Sequence, residues 1–123
     1  MAHTAWDIEE RTRRFAVRTL RGVRSLPRTV AGLAPGRLLA RSGISIGANV
    51  QEAQGAHTRR ECIRQMNIAR GEALETRCWP RLIVGAESRT AKRLDSLINE
   101  SDELVCILTS IVKRSRQKRD DGE

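Results

Sequence analysis

The segment Arg41-Ser-Gly-Ile-Ser-Ile-Gly-Ala-Asn-Val-Gln-Glu52 gathers polar side chains at a spacing that suits chemistry. At about 100° per residue Arg41 and Glu52 point within roughly 20° of each other, and Ser45 and Asn49 lie close to the same stripe. Glu72 and Glu75 stand i,i+3 further along, able to face that stripe, with Arg41, Arg70 or Arg77 supplying compensating charge. Such carboxylates suit a bridged metal centre or a hydrolytic acid–base pair. Ferritin-like metal sites require Glu-x-x-His pairs on facing helices, and His3 and His57 form none. Hydrolysis by Glu52, Glu72 and Glu75 would lack a nucleophile, a phosphate loop and a companion histidine. The favoured reading is therefore a partly buried structural network of Arg41, Ser45, Asn49, Glu52, Glu72 and Glu75 that fixes helix register, with no catalytic residue, metal or cofactor.

A second set of residues suits phosphate. Arg11, Arg14, Arg18 and Arg21 repeat at steps of three and four, with Arg28, Arg59 and Arg60 elsewhere. Lys and Arg number 23 against 15 Asp and Glu, a formal charge of +8, and residues 1–60 carry 11 basic and 4 acidic residues of that total. These arginines are candidates for neutralising nucleic-acid phosphates. No helix-turn-helix or zinc-finger spacing accompanies them and aromatic residues are 2% of the chain, so contact with RNA or DNA should follow backbone charge more than base identity. A solvated helix face, or a surface for an acidic protein, accounts for the same arginines. Cys62, Cys78 and Cys106 match neither a disulfide framework nor a zinc module and read as buried or merely tolerated thiols.

These residues must be positioned by helices. Ile8, Thr12, Phe15, Thr19, Val23 and Leu26 recur at steps of three and four, which predicts a first helix over 6–26, ended by Pro27. Pro35 suits the first position of a second helix over 35–56, on which Gly43 and Gly47 permit close backbone approach. Thr58 and Glu61 form a capping box that opens a third helix over 59–84, in which Pro80 introduces a kink or an early end. Leu94, Leu97, Ser101, Leu104, Leu108 and Ile111 define a fourth helix over 90–114, followed from about residue 115 by a flexible polar tail containing Arg116, Lys118 and Arg119.

Four apolar stripes and short turns predict an all-α, antiparallel up-down four-helix bundle in one domain of 123 residues. The wide stripe of the fourth helix, and second apolar edges on the first and third, exceed what a monomer hides and predict self-association. No run approaches about 18 uninterrupted apolar residues and no secretory pattern opens the chain, which predicts a soluble, cytoplasmic protein without membrane contact.

Three blocks in order, RSGISIGANVQEA (41–53), ECIRQMNIARGEALET (61–76) and NESDELVCILTSIV (99–112), resemble the bacterial four-helix bundle proteins related to those encoded in intervening sequences of 23S ribosomal RNA genes. The likeness extends over roughly residues 12–115. The accessory variability proteins of diversity-generating retroelements are more distant relatives. The resemblance implies a homopentameric ring, and the distant relatives imply a scaffold that binds a reverse transcriptase and nucleic acid. It places Arg41, Ser45, Asn49 and Glu52 at the family motif's polar positions, with Glu72 and Glu75 as their neighbours. Cys62 stands where an aromatic is common, and Trp79-Pro80 replaces Trp-Leu.

Overall fold

A computed structural model of the chain describes residues 5–120, with side chains described over 7–118. Four helices follow in order: α1 (Ala5–Arg24), α2 (Val30–Gln54), α3 (Arg59–Ala86) and α4 (Ala91–Asp120), with one 3-10 turn at Ser88–Thr90 before the last. Successive helices pack side by side, most extensively α2 on α3, and α1 closes on α4, while the backbones of the diagonal pairs stay apart. The result is an all-α, antiparallel up-down bundle. Its core is one continuous cluster that includes Ile8 and Phe15 from α1, Leu39, Ile46 and Val50 from α2, and Leu94, Leu104 and Leu108 from α4. Ala69 and Ala73 on α3 face it, so large side chains on the other helices meet small ones there.

Small residues bring α1 and α2 together. A Cβ on Gly43 would lie 2.8 Å from Thr19 Cγ2, and one on Gly47 would lie 3.3 Å from Thr12 Oγ1. Thr12 and Thr19 are fully buried, yet both hydroxyls are satisfied within their own helix, donating to the carbonyls of Ile8 and Phe15 at 2.8 Å. Backbone proximity thus comes without a stranded polar group.

The second helix starts earlier than Pro35, the start expected from sequence. Thr29 is extended (φ −117°, ψ 165°) and its side chain accepts from the Gly32 amide at 3.3 Å, so α2 opens at Val30 and Pro35 sits inside it. The amide that Pro35 lacks would have met the Ala31 carbonyl in the first turn, close to an end where helical bonding is already incomplete. A Cβ on Gly32 would fall 2.3 Å from the Pro27 carbonyl oxygen, so this turn closes only around glycine. Pro80 does not end α3, which continues to Ala86.

At the α3 entry Thr58 Oγ1 accepts the Glu61 amide at 3.1 Å. The Glu61 carboxylate takes the His57 amide at 3.2 Å, one residue before the Thr58 amide expected of a capping box. The segment expected to leave the fourth helix as a flexible tail continues α4 as helix to Asp120.

Candidate functional site

The polar stripe of α2 lies against α3, and a single guanidinium serves two carboxylates there. Arg41 Nη2 donates to both oxygens of Glu75 at 3.0 Å, while Arg41 Nη1 stands 3.9 Å from Glu72 Oε2. Glu72 Oε2 is buried and has no hydrogen-bond partner among the described residues. Burial pushes the Glu72 carboxyl above the ordinary range, Arg41 opposes this, and neighbouring Glu75 adds to it. The better-placed carboxylate thus takes the arginine and leaves the other poorly neutralised.

Ser45 and Asn49 turn back along α2 instead of crossing to α3. The Ser45 hydroxyl donates to the Arg41 carbonyl and the Asn49 side-chain amide donates to the Ser45 carbonyl, both at 2.8 Å. Glu52 is exposed and borders an open cleft with His57, Glu61, Arg64 and Gln65. The six residues therefore divide into an interhelical ion cluster, a pair of back-bonds within one helix and a surface carboxylate.

Beneath the cluster lies a contact that the sequence reading passed over. The Ser42 and Thr76 hydroxyl oxygens are 2.9 Å apart in the core, and Thr76 also donates to the Glu72 carbonyl at 2.6 Å. With its own proton engaged in α3, the Thr76 oxygen is free to accept from Ser42, whose hydroxyl also lies 3.4 Å from the Leu39 carbonyl, and this buried contact joins the two helices alongside the Arg41–Glu75 ion pair. Its sequence signal is weak, since a small hydroxyl residue on an apolar stripe also reads as a mere gap filler. Gln65 Oε1 and Trp79 Nε1 are also buried without a partner among the described residues. With Glu72 they stand seven residues apart on one stripe of α3.

The basic residues of α1 are unequal. Arg11 donates to both oxygens of Glu100 on α4 at 2.9 Å and also reaches Glu103. Hydrogen bonding from Arg11 holds the Glu100 carboxyl below its ordinary range against the opposing effect of burial. Arg14 pairs with Glu10 at 3.2 Å, and Arg13 shares that carboxylate. Arg18, Arg21, Arg28, Arg59 and Arg60 are exposed and form no ion pair among the described residues. An open groove of about 370 Å³ over α1 and α4 is lined by Asp7, Glu10 and Glu100 as well as Arg11, Arg14 and Arg18, so its charge is mixed.

Across the bundle, Arg81 and Arg77 meet Asp102 at 2.8 and 3.6 Å, and Arg70 donates to Thr109 Oγ1 at 3.0 Å. Sequence reasoning placed none of these pairs, because they depend on the vertical offset between helices. Among the described residues no three His, Cys, Asp or Glu side chains come together to hold a metal ion, and no helix is long and apolar enough to cross a membrane.

A family model described as 23S rRNA-intervening sequence protein matches residues 5–110. Among solved structures, the chain is similar to a protein of unknown function from the S23 ribosomal protein family of Bacteroides thetaiotaomicron, with 34% identity and a TM-score of 0.80. That similarity covers 89% of this chain and 97% of the other. No curated protein matches the chain.

Proposed function

Because the chain belongs to the 23S rRNA-intervening sequence protein family, we propose that it works as a non-enzymatic, homo-oligomeric helical scaffold that contacts nucleic acid through backbone charge. The observation that carries the scaffold reading is the outer face of α2. Only three of the 25 residues of this helix are charged, Arg37, Arg41 and Glu52. Its core stripe is buried, yet Val30, Leu33, Leu38 and Ile44 remain exposed on the outside, and Leu20, Ile68 and Leu82 add to this on the flanking helices. A helix that is apolar on both sides is normally covered on both sides. At 1.5 Å per residue α2 is about 37 Å long, and a strip about 20 Å wide along it amounts to roughly 750 Å², near the area each partner contributes to a standard interface.

A second copy of the chain is the occupant that this reading takes, and the family resemblance supplies the pentamer as its closed form. Exposed arginines that form no ion pair among the described residues, such as Arg59 and Arg60, are then repeated around the ring, so weak phosphate contacts add by multivalency. A reverse transcriptase is the protein partner suggested by the distant retroelement relatives, and a neighbouring gene for one would support it. The cytoplasm is the proposed compartment. Light scattering coupled to chromatography tests the assembly: the expected mass is several times 13.8 kDa. A monomer at all concentrations refutes the scaffold. An oligomer that binds neither RNA nor DNA at low salt leaves a structural ring or an adaptor for an acidic protein.

A further inference from the structure

Two stretches of sequence, one on α3 and one on α4, carry as much net positive charge as the whole chain, beside the acid-free run 11–51 with its nine arginines. Residues 59–71 hold four basic residues and one acidic residue, and residues 104–119 hold five basic residues and none that are acidic. Together they carry net +8, the formal charge of the whole chain, so the other 94 residues balance at 14 of each sign. Asp120, Asp121 and Glu123 then follow in sequence, and the two stretches with that ending still total +5.

The fold brings these stretches together. Asp102 opposite Arg77 and Arg81, and Thr109 opposite Arg70, set the antiparallel offset of α3 and α4. Carried two to three turns further, the same offset places the start of α3 beside the end of α4. An open cleft of about 540 Å³ there is lined jointly by Thr58, Arg59, Cys62 and Ser115. The continuation of α4 as helix to Asp120 carries Lys113, Arg116 and Lys118 at this end of the bundle. Arg59, Arg60 and Arg64 on α3, and Lys113, Arg116 and Lys118 on α4, are all exposed and form no ion pair among the described residues. On α1, Arg11 and Arg14 already face Glu100, Glu103 and Glu10, and Arg18 acts on Glu100, which leaves Arg21 and Arg24 exposed and without an ion pair among the described residues.

Resting on the nucleic-acid reading above, we infer that the principal phosphate-binding surface is this end of the α3–α4 edge, and that it takes the phosphodiester backbone of RNA or DNA. The span from Arg59 to Arg70 is about 16 Å along the helix, enough to follow about five phosphates of one strand in a duplex. Chains of simple cations with no aromatic platform between them read charge spacing and not bases.

Two variants of equal net charge separate this site from a general effect of charge: Arg59→Ala/Lys113→Ala/Arg116→Ala on the edge, and Arg14→Ala/Arg18→Ala/Arg21→Ala on α1. Fluorescence anisotropy with a labelled RNA of about 20 nucleotides and a DNA duplex of the same length is read from about 50 to about 200 mM salt. The edge variant should lose at least about tenfold in affinity at the lower salt. Its slope of log K against log salt should be shallower by about 2.7 on duplex and 2.1 on single strands. On duplex the wild type should accordingly lose roughly 40-fold more than the edge variant over that salt range. The α1 variant should stay within about threefold of wild type. Equal loss in both variants, or loss confined to the α1 variant, overturns the placement while leaving nucleic-acid binding intact. Failure of the wild type to bind either polymer removes the functional reading and the placement together. Circular dichroism checks that both variants fold. Should the edge triple lose helicity, Lys113→Ala and Arg116→Ala separately should each reduce the slope by about 0.9 on duplex, and no change in either overturns the inference.

Discussion

The same substitution at two glycines should move stability in opposite directions. Gly71 on α3 is exposed and a Cβ built there meets nothing within 4 Å, whereas one on Gly43 of α2 would sit 2.8 Å from Thr19 Cγ2 and 3.3 Å from Thr19 Cβ. Both lie in helix interiors, so alanine brings each about 0.8–1.0 kcal/mol of helix propensity. At Gly71 nothing opposes this, and Gly71→Ala should raise the melting temperature by roughly 3–5 °C for a chain of this size. At Gly43 the obstacle is a threonine that is fully buried and fixed by its bond to the Phe15 carbonyl, so it has no free direction in which to yield. Overpacking of this kind costs about 1–3 kcal/mol, which leaves Gly43→Ala destabilised by about 1 kcal/mol after the propensity gain. Thr19→Ser keeps the hydroxyl and removes the nearest methyl. The double variant Gly43→Ala/Thr19→Ser should therefore show about 1–2 kcal/mol of favourable coupling in a denaturation cycle. All four proteins must be compared at one concentration, since assembly shifts apparent stability. If Gly43→Ala stabilises as much as Gly71→Ala, close contact between α1 and α2 is not what holds them.

Three further outcomes follow from the polar contacts. Glu100 has a lowered carboxyl in the folded state, so its stabilising contribution is present above the unfolded value near 4.3 and is lost as pH falls through the folded one; Glu100→Gln should flatten that acid limb in melts recorded as a function of pH. Glu72 has the opposite sign: its folded value is raised, so Glu72→Gln should raise the melting temperature at pH 7, and the advantage should vanish by the time the pH reaches the unfolded value near 4.3. Thr76→Val should cost about 1–2 kcal/mol in chemical denaturation by leaving the buried Ser42 hydroxyl only its long 3.4 Å bond to the Leu39 carbonyl, and Ser42→Ala/Thr76→Val should recover part of that loss.

Much of the bundle was legible because local spacing dictates it. The burial of Ile8, Thr12, Phe15 and Thr19 follows from helical period alone, as does the narrow gap at Gly43 and Gly47. The start of α2 was hidden because Thr29 is followed at the third position by Gly32 and not by an acid, so its cap lacks the paired signal that marks Thr58 and Glu61. Pro35 then offered a plausible but later start. Within the polar stripe, angular proximity on α2 was readable, but the choice of Arg41 between Glu72 and Glu75 was not, since that depends on side-chain reach across an interface. Ser45 and Asn49 had nearby backbone carbonyls as partners, an outcome that helix geometry always leaves open to short polar side chains. For the same reason the charge imbalance between halves of the sequence does not reveal which cations are paired: Arg11 is offset by acids about ninety positions away, and the exposed cations of α3 and α4 come together when those helices pair.

The square of helices is closed by its first and last members, and this sets an order in time. Neighbouring helices find one another across short turns, so α2, α3 and α4 can pack as each leaves the ribosome, at contact orders that favour rapid folding. The α1–α4 seam is different. Arg11 must wait for Glu100, and at about 5–20 residues per second the 89 intervening positions take roughly 4–18 s to synthesise. During that interval the α4-facing side of α1 has no partner from its own chain, although α2 can already hold the opposite side through the glycines. A ribosome-bound chain halted before residue 91 should therefore leave Phe15 accessible to solvent, and one halted after α4 has emerged should bury it.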